Sequence, residues 1–180
     1  MMEASEREVY RAAIHGDRDA FEMIIRTHSR QMFAIAYGIL QNREECEDAV
    51  QDAFVKAWKS RWRIRDPERF PAWLGTIARH RARDVFRKRR PILEALEGHA
   101  SSCPHSSTED NSIAFDRQLH SALAELPELH RTALILRYFE EMDYASIEKL
   151  LGITDGALRG ILGRSLTALR KQLKPVALEQ

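Results

Sequence analysis

The stretch Cys46-Glu47-Asp48-Ala49-Val50-Gln51-Asp52-Ala53-Phe54-Val55-Lys56-Ala57-Trp58 decides the fold. Cys46, Ala49, Val50, Ala53, Phe54, Ala57 and Trp58 recur at intervals of three and four, which draws one apolar stripe down an α-helix. Glu45, Asp48 and Asp52 fall together on another face, with Gln51 beside them. Asn42, three residues before Glu45, is a natural first-turn cap. A helix with one apolar stripe is stable only against partners of the same period, and the chain supplies them on both sides.

Upstream, Ser5 and Glu8 have capping-box spacing and Gly16 is a stop signal. A helix is predicted from about Asp19. Phe21, Ile24, Ile25 and His28 share a face that Met32, Phe33, Ala36, Ile39 and Leu40 continue, with room for a break between the two halves. Downstream, Asp66-Pro67 and Phe70-Pro71 punctuate a loop. A helix from about Ala72 then buries Leu74, Ile77, Ala78 and Val85. Residues 91–112 contain two prolines, Gly98 and the polar run Ser101 to Thr108. That composition predicts a flexible linker with at most one short helical turn after Pro91. Helical periodicity returns at Ile113 and recurs in segments opened by Pro127, Asp143 and Thr154, with Gly152 ending the third. No period-two pattern occurs. The fold class is therefore all-α: two small helical domains, 1–90 and 113–180, joined by a linker over 91–112.

The 180-residue chain is 44% hydrophobic and 31% charged, with a net charge of only +1. The distribution says more than the total. Arg61 to Arg90 holds eleven Arg and Lys against three acids, a local charge of +8, whereas Gln41 to Asp52 holds five acids and one Arg, or −4. Two faces of opposite sign imply two different partners. Cys46 and Cys103 make no disulfide framework, so a reducing compartment is the simpler expectation. No signal peptide and no apolar run long enough to span a bilayer are visible.

Several constellations could carry function. Asp143–Leu151, a break at Gly152-Ile153 and a helix from Thr154 have helix-turn-helix punctuation, although an ordinary helical hairpin reads the same. Arg79, Arg83, Arg87 and Arg90 recur at four, four and three and could track a phosphate backbone, or form a solvated face. Trp58, Trp62, Phe70 and Trp73 cluster beside them. Trp58 and Trp73 read as core, which leaves Trp62 and Phe70 as candidates to stack on bases. The acids Glu45, Asp48 and Asp52 lack the histidine, nucleophile or glycine-rich loop that catalysis would need, and a docking face suits them better. His99, Cys103 and His105 offer three metal ligands but no fourth. A free-standing operator-binding regulator, a module that sequesters another protein, and a metal-dependent nucleic-acid enzyme remain alternatives at this level.

Taken together, these segments resemble the extracytoplasmic-function sigma factors of the bacterial sigma-70 family. Gly16-Asp17-Arg18-Asp19-Ala20-Phe21 is similar to the opening motif of that family. Glu47 to Phe54 with Trp58 is similar to its most specific signature, an acid-Asp-x-x-Gln-acid-x-Phe pattern. Phe70 to Leu74 and Ile77 to His80 resemble its minus-ten segment, and Leu126-Pro127, Arg131 and the helix-turn-helix its minus-thirty-five domain. The resemblance implies a non-enzymatic, cytoplasmic initiation factor without cofactor or metal. Its partners would be core RNA polymerase, through the beta-prime clamp and the beta flap, promoter DNA and an anti-sigma factor. It would not insert in a membrane and would be a monomer when free. It further implies that Glu47, Asp48, Gln51, Asp52 and Lys56 bind polymerase. Trp62, Arg65, Asp66, Phe70, Thr76, Arg79, His80, Arg83 and Arg87 would read the minus-ten element, and Thr154, Asp155, Arg159 and Arg164 would read the upstream element. One position and one stretch depart from the pattern. His80 stands where the family usually has Asn, and Gly156-Ala157-Leu158-Arg159-Gly160-Ile161 replaces Gly-Thr-Val-Lys-Ser-Arg, which weakens the expected upstream contact.

Overall fold

The computed structural model describes residues 4–96 and 111–173, with side chains described for 5–89 and 118–173. Eight α-helices account for most of them: α1 (Ala4–Ile14), α2 (Arg18–Leu40), α3 (Arg43–Ser60), α4 (Phe70–Leu96), α5 (Asn111–Ala124), α6 (Glu128–Leu134), α7 (Tyr144–Leu151) and α8 (Asp155–Gln172). Two short 3-10 turns, Arg61–Arg63 and Pro67–Arg69, connect α3 to α4. Among the described residues there is no strand.

The first unit is built from α1 to α4. The Asn42 side chain accepts from the Glu45 amide at 3.0 Å and starts α3 as expected. The predicted stripe is its buried face: Cys46, Ala49, Val50, Ala53, Phe54 and Ala57. Burial pushes the Cys46 thiol up to about 12, so it is an inert core thiol. α2 runs unbroken for 23 residues, because its apolar face never loses a partner. It begins at Arg18, one residue before the expected start, and Asp17 caps it, accepting from the Ala20 amide at 3.0 Å. Ser5 already lies inside α1 and does not cap it.

The second unit comprises α5 to α8. Asp143 caps α7 through the Ser146 amide at 2.9 Å, and Gly152 ends α7 in the left-handed region at φ 68°. Thr154 then caps α8. Three glycines do not interrupt α8, because Leu158, Ile161, Leu162, Ser165 and Leu169 bury its inner face. Between α6 and the turn before α7, Ile135–Phe139 widens into a π-helical turn, which no apolar period could announce.

Two features differ from the sequence pattern. α4 continues through Pro91 to Leu96, although Pro91 has no N–H to offer the Arg87 carbonyl. Six residues predicted to begin the linker therefore have helical backbone, as do Asn111 and Ser112 at its other end. The two apolar patterns also do not stay apart. Buried side chains of both units join in one cluster, with α2 and α4 of the first against α6, α7 and the π-helical turn of the second. Two glycines permit this. A Cβ on Gly38 would overlap the Thr132 hydroxyl, and one on Gly75 would lie 3.0 Å from the Leu150 carbonyl oxygen.

Candidate nucleic-acid interface

On α3 the apolar stripe dictates which side chains face outward. Glu47, Asp48, Gln51, Asp52 and Lys56 are all exposed, and Glu47 is engaged only by Arg43 one turn earlier, at 2.9 Å. Glu45 belongs elsewhere: its carboxylate takes the Arg89 guanidinium of α4 at 3.0 Å and helps fix the α3–α4 crossing. The face left free is therefore Glu47, Asp48, Gln51 and Asp52, an acidic surface with no catalytic partner beside it.

The segment between α3 and α4 presents the aromatic candidates. Trp62 is 68% exposed. The guanidinium of Arg63 lies 5.3 Å from its ring centroid, so a large flat apolar face sits in a cationic setting. That arrangement suits stacking on an unpaired base. Arg63 was not singled out from the sequence; its only signal there was adjacency to Trp62. Arg65 and Asp66 are exposed, and Asp66 caps the second 3-10 turn by accepting from the Glu68 amide at 3.0 Å. Phe70 does not meet the expectation. It is fully buried, stacked on Tyr10 at 5.2 Å and edge-on to Trp73 at 5.3 Å. Its neighbours are core rather than solvent because α1 folds back over the start of α4, a contact between segments 60 residues apart that local spacing cannot show.

Along α4, Thr76 and His80 are exposed. The Thr76 hydroxyl donates to the Ala72 carbonyl at 2.8 Å. The arginine row is not uniform. Arg87 is exposed and paired with Asp84 at 2.8 Å. Arg83 makes a two-pronged bond to Glu128 of α6, at 3.0 and 3.1 Å. Arg79 is half-buried, and its Nη2 has no hydrogen-bond partner among the described residues. Burial lowers its proton affinity while Glu128 nearby raises it, although an Arg keeps its charge throughout. The side chain of Arg90 and the His99, Cys103 and His105 trio lie outside the described residues.

The second unit holds the helix-turn-helix α7–α8. Asp155 and Arg159 are exposed on the first turn of α8. The Arg159 Nε lies 2.9 Å from both Asp155 carboxylate oxygens, and its guanidinium lies 5.0 Å from the Tyr144 ring centroid. The hydrogen bond that Arg159 donates to Asp155 raises the Arg159 proton affinity. Arg164 is exposed one turn further on. Ile161, where the resembling pattern has Arg, is buried. It supplies packing in place of a contact.

Known proteins match both units. Residues 24–92 match the family described as Sigma-70 region 2, and residues 116–173 match Sigma-70, region 4. RNA polymerase sigma factor CarQ of Myxococcus xanthus is 32% identical over 165 residues, covering 91% of this chain and 95% of CarQ. The chain belongs to the sigma-70 family. Within it, ECF RNA polymerase sigma factor SigW of Bacillus subtilis is 29% identical, covering 88% of this chain and 91% of SigW. The solved structure of CnrH in complex with the cytosolic domain of CnrY superposes with a TM-score of 0.66 at 25% identity, covering 93% of this chain and 96% of CnrH. This chain is an RNA polymerase sigma factor of the extracytoplasmic-function group, so the acidic and basic faces are surfaces of an initiation factor.

Proposed function

We propose that this sigma factor docks core RNA polymerase through the acidic face of α3 and engages promoter DNA through two further surfaces. The single observation that carries the reading is the separation of charge: Glu47, Asp48, Gln51 and Asp52 exposed on α3, and the arginines of α4 beyond the exposed Trp62. The first unit, up to about residue 90, takes the clamp and the minus-ten element. Trp62 stacks against the opened strand, Asp66, Thr76 and His80 border the captured base, and Arg65, Arg79, Arg83 and Arg87 hold phosphate. Extruding a base costs a few kcal/mol, which stacking and phosphate contacts offset. The second unit, from about 113, takes the polymerase flap and the upstream element through Thr154, Asp155, Arg159 and Arg164. The factor works in the cytoplasm beside polymerase, is restrained by an anti-sigma factor and makes or breaks no covalent bond. Among the described residues no helix is long and apolar enough to cross a membrane.

The test is Asp48→Arg combined with Asp52→Arg. Both side chains are exposed, so the helical circular dichroism signal and the unfolding midpoint should stay near wild type while co-purification with core polymerase is lost. Undiminished co-purification of the folded double variant overturns the docking assignment.

A further inference from the structure

Among the described residues Trp62 is the most exposed large apolar side chain, yet it stands on a 3-10 turn of only three residues, Arg61–Arg63. So short a turn has little stability of its own, and its ends must hold it. At the far end Ile64 is buried, and its amide donates to the Arg61 carbonyl at 3.2 Å. At the near end the anchor is the Arg61 side chain. Its guanidinium lies 4.0 Å from the Trp58 ring centroid, and Nη1 donates to the Trp58 carbonyl at 2.8 Å. Trp58 is fixed in turn by an edge-on contact with Phe21 of α2, at 5.1 Å between ring centroids. The rest of the guanidinium lies against the turn between α1 and α2. Gly16 has φ 100° there, and a Cβ on it would come within 2.9 Å of Arg61 Nη2.

Arg61 therefore differs from the cations that follow it. Arg63, Arg65 and Arg69 are exposed. Arg61 is half-buried, and its Nε is buried without a hydrogen-bond partner among the described residues. A buried donor left unpaired opposes folding, and an apolar side chain would cover Trp58 without that cost. We propose that Arg61 is a positioning residue for Trp62: clamped between the Trp58 ring and the Gly16 turn, it fixes the 3-10 turn so that the Trp62 indole meets the unpaired base already in place. The proposal rests on the reading of Trp62 as the side chain that stacks on the opened strand. The gain is preorganisation. A turn that wandered would have to be ordered at the moment of capture, and a binding-competent form that is a minority binds more weakly by that fraction. Gly16 serves this clamp twice, through its left-handed φ and through the room its missing Cβ leaves.

Holoenzyme binding to a premelted minus-ten promoter tests this, because the strand is already open and affinity reads the capture alone. The full-length chain is compared as Trp62→Ala, as Arg61→Met and with both changes. Met covers the Trp58 ring but has no donor for its carbonyl and no guanidinium to meet Gly16. Co-purification with core polymerase and the helical signal should stay at the wild-type level in all three, because the acidic face of α3 is untouched. Trp62→Ala should weaken binding about tenfold. Arg61→Met should weaken it about threefold or more, and the double variant should bind as Trp62→Ala does. A merely structural role would weaken binding equally with and without Trp62. Gly16→Ala, which displaces the guanidinium from the other side, should reproduce the Arg61→Met loss, again only when Trp62 is present, and it decides in the same way if Arg61→Met does not fold. An Arg61→Met loss that persists in the Trp62→Ala background overturns the positioning role and leaves the Trp62 reading standing. So does wild-type affinity in Arg61→Met while Trp62→Ala binds weakly. Wild-type affinity in Trp62→Ala overturns the stacking reading and the positioning role with it.

Discussion

Burial at the single residue His28 sets a pH dependence. Its Nε2 lies 2.7 Å from the Tyr10 hydroxyl and its Nδ1 lies 2.7 Å from the Gln31 amide oxygen. The Gln31 amide oxygen can only accept there, so Nδ1 carries a proton, while the Tyr10 hydroxyl sits between Nε2 and the Glu6 carboxylate 3.2 Å away. Desolvation lowers the His28 proton affinity below that of an ordinary histidine, with Gln31 and Glu6 opposing. The native state therefore binds fewer protons than the unfolded chain below about pH 6.5. Stability from this site is complete above that pH and is lost as pH falls toward the native value. The urea midpoint should drop between pH 7.5 and pH 5.5 (on the order of the usual histidine range), and His28→Gln should flatten much of that drop. His130, whose proton affinity burial and Arg164 also lower, acts in the same direction and leaves a remainder. A slope unchanged by His28→Gln would mean that the titration lies elsewhere. Phe70 and Trp62 offer a second contrast at this scale. Phe70→Ala empties a fully buried ring site and should cost about 3–5 kcal/mol of folding stability. Trp62→Ala should leave the unfolding midpoint almost unmoved yet abolish open-complex formation, read by permanganate footprinting. The aromatic cluster was legible in the sequence, but its division into core and surface was not, because Tyr10 reaches Phe70 only through the folded path of α1.

At the scale of the element, signals confined to one helix were legible and signals spanning two were not. Asn42, Asp143 and Thr154 cap the helices they were expected to cap, and Gly152 takes the left-handed turn. These devices act within three residues, so local sequence is sufficient. The α3 stripe is likewise a local period. By contrast, the pairings Arg89–Glu45 and Arg83–Glu128 join residues more than 40 positions apart, and the π-helical turn answers to packing around Leu136 rather than to any repeat. The recognition helix α8 shows both kinds. Its cap was expected; the capture of Arg159 by Asp155 one turn earlier was not. Because that pair is exposed, water screens it and holding it together is worth little. A well-formed bidentate contact from Arg to guanine is worth about 1–3 kcal/mol. The larger gain wins, so Arg159 should leave Asp155 when DNA arrives. Arg159→Ala should then erase most of the preference at one upstream position in holoenzyme transcription from a randomised promoter library, with minus-ten selectivity retained. If the preference survives in Arg159→Ala, another side chain reads the upstream element, and exposed Arg164 is the next to test.

For the whole molecule, the question is which forces hold the two units together, and salt separates them. The polar links across the contact, Arg83–Glu128, Arg30–Glu140 and Tyr37–His120, all have at least one solvent-exposed partner. Exposed ion pairs contribute about 0–1 kcal/mol each. Their range shrinks from about 10 Å at 0.1 M to about 3 Å at 1 M salt. The apolar links differ in kind. Leu150 against Gly75 and Thr132 against Gly38 are close-packed backbone approaches, and Leu150, Leu136 and Ile147 are buried in the shared cluster. Apolar burial is not screened, and sulfate strengthens it. The radius of gyration of the free chain should therefore stay constant from 0.1 M to 1 M sodium chloride, and Glu128→Gln should change it little. Promoter binding by the holoenzyme should fall steeply over the same range, because each phosphate contact releases counterions. A free chain that expands as salt rises would show that the arginine–carboxylate pairs, rather than the two glycine contacts, keep the units closed.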